Sequence, residues 1–219
     1  MSATDVLRGH RVVPVVVLDD PARADDLGAA LVAGGLPVAE ATFRTPAAAA
    51  VLRRLAQRGD LVVGAGTVLT AAQVDLAHDA GARFVVSPGL SADVVRRCQA
   101  LDLPVIPGVS TATEIMAALD LGLGTVKFFP AEASGGLPTV KALAAAFPHV
   151  RFVPTGGITA QSAPTYLAHP SVAAVGASWM VAPDLLAAGL WDEVAARCAA
   201  TVAAVAPAAP EPDLQGATP

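Results

Sequence analysis

The sequence predicts an α/β protein folded as a single (β/α)8 TIM barrel. Eight short apolar runs alternate with eight helical patterns along roughly 205 residues, near the lower end of the length of such barrels. The apolar runs are continuous rather than alternating, which is typical of parallel strands covered by helices on their outer face. Glycine, proline or a small polar residue follows each run, and a helix start signal comes next.

The first four strand–helix units combine β-branched runs with capping residues. Asp20-Pro21, Thr45-Pro46, Thr70 and Ser91 are residue types that favour the first turn of a helix. The corresponding strands are predicted at residues 11–18, 37–44, 61–63 and 83–86.

The last four units repeat this pattern. Thr111 or Thr113 and the pair Gly135-Gly136 mark helix starts, and further helices are expected after Ile158 and Trp179. The strands are predicted at residues 104–106, 124–128, 150–153 and 172–175.

Residues 1–205 are therefore expected to form one barrel. Residues 206–219 are rich in Ala and Pro without apolar periodicity, which predicts a disordered tail. An open, doubly wound sheet is the alternative fold, because Gly64-Ala65-Gly66 resembles the start of a dinucleotide-binding loop. The third glycine and the acidic partner of that motif are missing, so the signal is weak.

Composition excludes several classes of function. A net charge of −5 with no basic stripe argues against nucleic-acid binding. The 54% hydrophobic content with 15% charge excludes a disordered chain and suggests buried oligomer surface. The apolar run 12–18 is too short to span a membrane, no signal peptide is evident, and Cys98 and Cys198 form no disulfide pattern, so a cytoplasmic protein is expected.

Lys127 is the most conspicuous polar residue, because the chain has only one other lysine, Lys141. It ends an apolar strand, at the barrel edge where active sites form. Burial favours the neutral amine of a lysine, the nucleophile that attacks a carbonyl to form a Schiff base. The alternative is a strand-end lysine that extends its ammonium group into water.

The second strand carries Glu40, Thr42 and Arg44 at alternate positions, on one face. Glu40 is either a buried partner for Arg44 or Lys127 or a group that moves protons, and the two roles are compatible. Arg44 is placed to bind a substrate carboxylate. Thr67 either adds a hydroxyl donor or caps the end of its strand.

Glycine turns end the last two strands, at Gly156-Gly157 and Gly176. The loops after strands seven and eight form the recurrent phosphate site of TIM barrels, since glycine lets backbone N–H groups approach an anion and a helix N-terminus adds its dipole. Simple tight turns are the alternative. Neighbouring strand-end residues join the candidate site, namely Ser87, Pro88, Thr155 and Ser178.

No metal site is predicted. The four histidines fall in helices or loops without metal-ligand spacing, at His10, His78, His149 and His169. A Gly-x-Ser-x-Gly nucleophile motif is also missing from the sequence.

Six motifs in order resemble the 2-keto-3-deoxy-6-phosphogluconate (KDPG) aldolase family, from about Val12 to Val205. They are residues 40–45 (EATFRT), 64–68 (GAGTV), 87–89 (SPG), 127–132 (KFFPAE), 154–158 (PTGGI) and 176–179 (GASW). The resemblance implies a class I aldolase on a (β/α)8 barrel, usually a homotrimer, that uses no metal or other cofactor. Its substrate would be a small phosphorylated keto acid.

The resemblance also implies residue roles. Lys127 would form the Schiff base and Glu40 would act as general acid and base. Arg44 and Thr67 would bind the pyruvate carboxylate. The phosphate site and pocket would comprise Thr155, Gly156, Gly157, Gly176, Ala177, Ser178, Phe129 and Pro88.

One departure and several alternatives accompany the resemblance. The family commonly has glycine where this chain has Ala177, and an alanine at positive φ would strain the phosphate loop. The phosphogalactonate epimer and 4-hydroxy-2-oxoglutarate are alternative substrates. A phosphosugar isomerase or epimerase, or a non-catalytic assembly protein, would keep the barrel but would not need Lys127, Glu40 and Arg44 together.

Overall fold

A computed structural model describes residues 3–7 and 9–206. Its strands follow the predicted order, with one split into two. In chain order, β1 to β9 are Val12–Val16, Val38–Thr42, Val62–Gly66, Phe84–Val86, Val105–Ile106, Gly108–Val109, Thr125–Phe128, Arg151–Phe152 and Val175–Ala177.

The strands form a curled parallel sheet with helices between them. Six strands pair in the order β5-β4-β3-β2-β1-β9, and three pair in the order β6-β7-β8. The predicted fifth strand appears as β5 and β6 because Pro107 has no N–H group to donate to a neighbouring strand. Its carbonyl still accepts a hydrogen bond from the Lys127 N–H at 2.8 Å. The predicted α/β class with parallel strands is confirmed.

Helices follow the strands, with an additional short helix before β1. In chain order, α1 to α10 are Ala3–Val6, Ala24–Ala33, Ala48–Gln57, Ala71–Asp79, Ala92–Ala100, Ala112–Asp120, Gly136–Ala146, Ala163–Leu167, Pro183–Ala188 and Trp191–Ala204. Short 3-10 helices cover Pro21–Arg23 and Trp179–Val181.

Most predicted helix caps are confirmed. The side chains of Thr70, Ser91 and Thr111 each accept a hydrogen bond from the backbone of the helix that follows. The prediction for Thr45 is wrong, because α3 begins only at Ala48 and no side chain caps it. The Thr45 hydroxyl instead donates to the Leu18 carbonyl at 3.2 Å, which ties the loop after β2 to the end of β1.

Two apolar clusters cover the two faces of the sheet. Val12 belongs to the large cluster shared with the helices, whereas the adjacent Val13 belongs to a smaller cluster with Val38, Phe84 and Ile106. Successive strand residues point to opposite faces, so the smaller cluster fills the concave side. Above this smaller cluster, the candidate polar residues approach the C-terminal ends of the strands.

The predicted tail lies outside the described residues except for Ala206. Across residues 3–7 and 9–206, the helices are too short or too polar to cross a membrane.

Candidate active site

Lys127 on β7 and Glu40 on β2 form a buried ion pair. Lys127 Nζ lies 3.4 Å from Glu40 Oε1, and each side chain is only 4% exposed. Of the two partners considered for Glu40, the structure therefore selects Lys127. The strand-end lysine does not extend into water, since burial encloses its ammonium group. Phe129 adds a second contact, with its ring centroid 5.1 Å from Nζ.

Gly66 on β3 provides the space for this pair. A Cβ atom at residue 66 would lie 2.1 Å from Glu40 Oε1, so any larger residue would displace the carboxylate. Gly64 does the same for the Phe84 ring, which would lie 2.3 Å from an added Cβ. Both glycines belong to a strand rather than a loop. The dinucleotide-loop alternative is therefore wrong, and close packing explains the motif.

Arg44 and Thr67 meet at the ends of β2 and β3. Arg44 Nε donates to the Thr67 hydroxyl at 3.2 Å. Arg44 is exposed, and none of the ion pairs among residues 9–206 includes it. Thr67 has a φ of 56°, a left-handed conformation that is rare for a β-branched residue. The other N–H groups of the Arg44 guanidinium can bind an anion.

A cavity of about 370 Å³ opens beside these residues. Its lining includes most of the predicted site: Arg44, Phe129, Thr155, Gly156, Gly157, Gly176, Ala177 and Ser178. Residues that sequence reasoning missed complete it: Val15, Val17, Ile158, Val181 and Pro183. All five are apolar, and their sequence pattern does not distinguish them from ordinary core residues.

Pro88 does not line this cavity. Its carbonyl carbon and oxygen lie against Gly108, where an added Cβ would be 2.1 Å from the Pro88 oxygen. The neighbouring Ser87 hydroxyl donates to the Gly89 carbonyl at 2.8 Å, which fixes the turn. Pro88 follows the end of β4, and the turn directs its carbonyl toward β6.

The glycine loop, Gly156–Gly157, forms one wall of the cavity. Both residues have positive φ, 100° and 80°, which non-glycine residues rarely adopt. Among the described hydrogen bonds, none uses the N–H group of Gly156 or Gly157. Two backbone donors on the wall of a cavity can bind a phosphate or carboxylate.

Gly176 and Ala177 lie in strand β9, next to the glycine loop. An added Cβ at Gly176 would lie 2.4 Å from the Thr155 hydroxyl oxygen, so close packing requires this glycine. The tight-turn alternative therefore does not apply to Gly176. Ala177 is not among the residues with positive φ, so its side chain introduces no backbone strain. Ser178 follows, exposed at the cavity.

The expected helix N-terminus next to Gly156–Gly157 is absent from this part of the chain. Helix α8 begins only at Ala163 and has five residues, because an intervening turn is closed by Thr159 and Ser162. At the neighbouring strand end, the 3-10 helix Trp179–Val181 begins directly after Ser178. Anion binding at this wall therefore depends on glycine N–H groups and side chains.

No group of three His, Cys, Asp or Glu residues within the described ranges could hold a metal ion. The chemistry available is that of an amine, a carboxylate, a guanidinium and backbone amides. A buried amine can form an imine with a ketone, and an adjacent carboxylate can transfer the protons that imine formation and cleavage require.

Comparison with known proteins agrees with this chemistry. Residues 3–197 match the family described as KDPG and KHG aldolase. The chain is 51% identical to the 2-dehydro-3-deoxy-phosphogluconate aldolase of Zymomonas mobilis over 80% of its length and 85% of the relative's. A crystal structure of the 2-keto-3-deoxy-6-phosphogluconate aldolase of Z. mobilis ZM4 with 3-phosphoglycerate has a TM-score of 0.85 and 46% identity, covering 91% and 94% of the two chains.

A second solved structure bears on the mechanism. The KDPG aldolase of Legionella pneumophila, with pyruvate captured as a covalent carbinolamine intermediate, has a TM-score of 0.89 and 40% identity, with coverage of 92% and 98%. Both the family match and these identities extend over most of the chain. The chain belongs to the KDPG and KHG aldolase family.

Proposed function

We propose that this chain is a class I aldolase that cleaves 2-keto-3-deoxy-6-phosphogluconate into pyruvate and glyceraldehyde 3-phosphate. The observation that carries the proposal is the buried contact of 3.4 Å between Lys127 Nζ and Glu40 Oε1. The amine and the carboxylate lie within β7 and β2 and do not line the cavity themselves, but Phe129 lines the cavity and contacts Lys127 Nζ. No step requires a metal or another cofactor.

Lys127 is the nucleophile in the proposed reaction. Lys127 first passes a proton to Glu40, and the resulting neutral Nζ attacks the C2 ketone; Glu40 then returns that proton to the departing hydroxyl, and loss of water gives an iminium ion. Glu40 then removes the proton of the C4 hydroxyl, and the C3–C4 bond breaks. The electron pair moves into the iminium and leaves an enamine of pyruvate, while the aldehyde departs. Protonation at C3 and hydrolysis release pyruvate and regenerate Lys127.

Arg44 and Thr67 bind the substrate carboxylate in this proposal. Their support is the 3.2 Å contact between them and the exposed guanidinium at the cavity. Gly156, Gly157 and Ser178 bind the phosphate through backbone N–H groups and a hydroxyl. The pocket around that phosphate is formed by Phe129, Thr155, Gly176 and Ala177.

The proposed fold is one closed (β/α)8 barrel of residues 1–205. Its support is that only Pro107 separates β5, in the larger sheet, from β6, in the smaller sheet, so one continuous segment joins the two sheets. On the other side, parallel bridges join Phe152 to Val172 and Thr155 to Gly176, with a 2.9 Å hydrogen bond from the Gly176 N–H to the Pro154 carbonyl. These contacts link the segment 152–155, which begins in β8, to the segment 172–176, which ends in β9.

We also propose a cytoplasmic homotrimer. Large apolar side chains are exposed on the monomer, with Leu76 at 53% and Met116 at 59%, and burial between subunits would remove them from water. The buried free thiols of Cys98 and Cys198 suit a reducing compartment. Light scattering coupled to size-exclusion chromatography tests the trimer, and a monomeric mass would reject it.

A retro-aldol assay tests the activity. Purified protein is mixed with 2-keto-3-deoxy-6-phosphogluconate, its galactonate epimer or 4-hydroxy-2-oxoglutarate, and pyruvate is detected with lactate dehydrogenase and NADH. We expect the highest kcat/KM for the phosphogluconate compound. Pyruvate plus borohydride should add a stable mass to the peptide that contains Lys127. Absence of both pyruvate release and this adduct would reject the proposal.

A further inference from the structure

The hydroxyl of Tyr166 on α8 is a buried group that the proposed reaction does not use. Tyr166 is the single tyrosine of the chain and is 3% exposed. Its hydroxyl donates to Glu132 Oε1 at 2.7 Å, and neither residue lines the cavity. Glu132 lies five residues after Lys127, in the turn that leads from β7 to α7. The pair therefore links α8 to the segment that carries the reacting lysine.

The backbone around Glu132 is hydrogen-bonded directly to the glycine loop. The Glu132 N–H donates to the Gly156 carbonyl at 3.1 Å, and the Ala131 N–H donates to the Thr155 carbonyl at 2.8 Å. A Cβ atom at Gly157 would lie 2.7 Å from both Cβ and Cγ of Glu132. The aliphatic part of Glu132 thus packs against Gly157 of the glycine loop, and Glu132 does not line the cavity.

Gly135 and Gly136 form the turn that accommodates this pair. Both have positive φ, 97° and 64°. An added Cβ at Gly136 would lie 3.2 Å from the Tyr166 hydroxyl oxygen and 3.4 Å from Glu132 Oε2. Gly136, which in sequence indicated only a helix start, therefore also leaves room for the tyrosine hydroxyl and the carboxylate to meet, whereas a Cβ at Gly135 would meet Thr139 instead.

The location of the Glu132 charge matters for an anionic ligand. Glu132 is an exposed residue, and the hydrogen bond holds its carboxylate against the buried Tyr166. Burial and the adjacent carboxylate raise the pKa of Tyr166 well above its usual value, so the hydroxyl remains a donor across the working pH range. A carboxylate released from this contact would be a negative charge beside the loop that faces the substrate phosphate.

We propose that Glu132 and Tyr166 are positioning residues that hold the glycine loop in its anion-binding conformation and keep the Glu132 carboxylate away from the bound phosphate. The pair would thereby set the preference for phosphorylated over unphosphorylated keto acids. This inference rests on the proposed function, because it assigns the glycine loop to the substrate phosphate. It concerns affinity for one end of the substrate and leaves the chemistry at Lys127 unchanged.

The variant Tyr166→Phe tests the proposal through two substrates. We expect its KM for 2-keto-3-deoxy-6-phosphogluconate to rise about tenfold, as for loss of a hydrogen bond to a charged group. The KM for 4-hydroxy-2-oxoglutarate, which has no phosphate, and both kcat values should stay within about twofold. A purely structural role would change both substrates alike, and equal rises in both KM values would overturn the proposal.

A double variant separates the charge from the hydrogen bond. In Tyr166→Phe, the additional change Glu132→Gln removes the negative charge, and we expect the KM for the phosphorylated substrate to fall at least about threefold. No recovery would overturn the proposal. Asp75→Asn is the matched control, because Asp75 accepts a hydrogen bond from Arg97 at 2.6 Å between α4 and α5, away from the cavity. It should leave both KM values unchanged.

Direct binding distinguishes failure of this inference from failure of the proposed function. Isothermal titration with glycerol 3-phosphate measures the phosphate site without turnover. Tyr166→Phe should raise the dissociation constant about tenfold relative to the unchanged protein. The unchanged protein could release no pyruvate while Tyr166→Phe still binds glycerol 3-phosphate more weakly than the unchanged protein does. In that case the pair acts as inferred and the proposed reaction fails. An unchanged dissociation constant overturns the inference whatever the activity.

Discussion

The ion pair at Lys127 and the glycine loop at Gly156–Gly157 perform their proposed tasks in opposite ways. Lys127 and Glu40 place two charged side chains in an apolar interior, 3.4 Å apart. The glycine loop offers no side chain and instead presents backbone N–H groups through positive φ values. The comparison separates chemistry from recognition: changes at the ion pair should lower kcat, whereas changes at the loop should raise KM for phosphorylated substrates.

Replacement of Lys127 should have the largest effect. We expect Lys127→Arg to lower turnover by more than about 10³-fold, because a guanidinium stays protonated and cannot form the imine. Mass spectrometry after pyruvate and borohydride should find no adduct. Lys141→Arg is the matched control, since Lys141 is exposed on α7, and it should keep full activity and the adduct. An adduct in Lys127→Arg would assign the nucleophile elsewhere.

Glu40→Gln should have the next largest effect. The amide keeps the size of the side chain but cannot exchange protons, so we expect kcat to fall about 10²- to 10⁴-fold. The borohydride adduct at Lys127 should still form, although more slowly, and KM should change little. Glu193→Gln provides the control, because Glu193 pairs with Arg197 on the surface of α10. Full activity of Glu40→Gln would contradict the acid–base role.

The different nature of the two regions explains what the sequence could predict. Lys127 and Glu40 interrupt apolar strands, so their residue types alone marked them as candidates. Gly156 and Gly157 were identified by their place after a strand, and their positive φ values agree with the loop prediction. The family resemblance supplied the individual roles, which remain predictions.

Features that depend on three-dimensional spacing could not be predicted. Gly66 resembled a nucleotide loop, yet its function is to leave space for Glu40, a residue from the neighbouring strand. Val15 and Val17 line the cavity but have the pattern of any core strand. The position of Pro88 at a strand end predicted a place in the pocket, whereas the turn directs its carbonyl toward Gly108.

Gly157→Ala tests recognition without touching the ion pair. The new Cβ would meet Glu132 at 2.7 Å in a backbone conformation that alanine disfavours. We expect KM for the phosphorylated substrate to rise about tenfold while kcat changes less than about threefold.

Gly122→Ala is the matched control, because Gly122 also has positive φ but no atom within 4 Å of an added Cβ. It should lower stability by about 1 kcal/mol and leave KM unchanged. A fall in kcat without a rise in KM would break the separation between the two regions.

The smallest effect on activity is expected at Thr67, whose side chain binds the substrate carboxylate in this proposal and whose backbone has a left-handed conformation. Its φ of 56° should cost about 1–3 kcal/mol of stability for a β-branched residue. Thr67→Val keeps the branched shape and the strain, whereas Thr67→Asn introduces a residue that tolerates this conformation.

Both Thr67 variants lose the hydroxyl oxygen that accepts from Arg44 Nε in its present position, so both should raise KM for phosphorylated and unphosphorylated substrates alike, by about threefold. Urea denaturation should show Thr67→Asn to be about 1 kcal/mol more stable than Thr67→Val. Equal stability would mean that the left-handed conformation carries no strain. A KM effect confined to the phosphorylated substrate would instead place Thr67 with the glycine loop, because the carboxylate is common to both substrates and the phosphate is not.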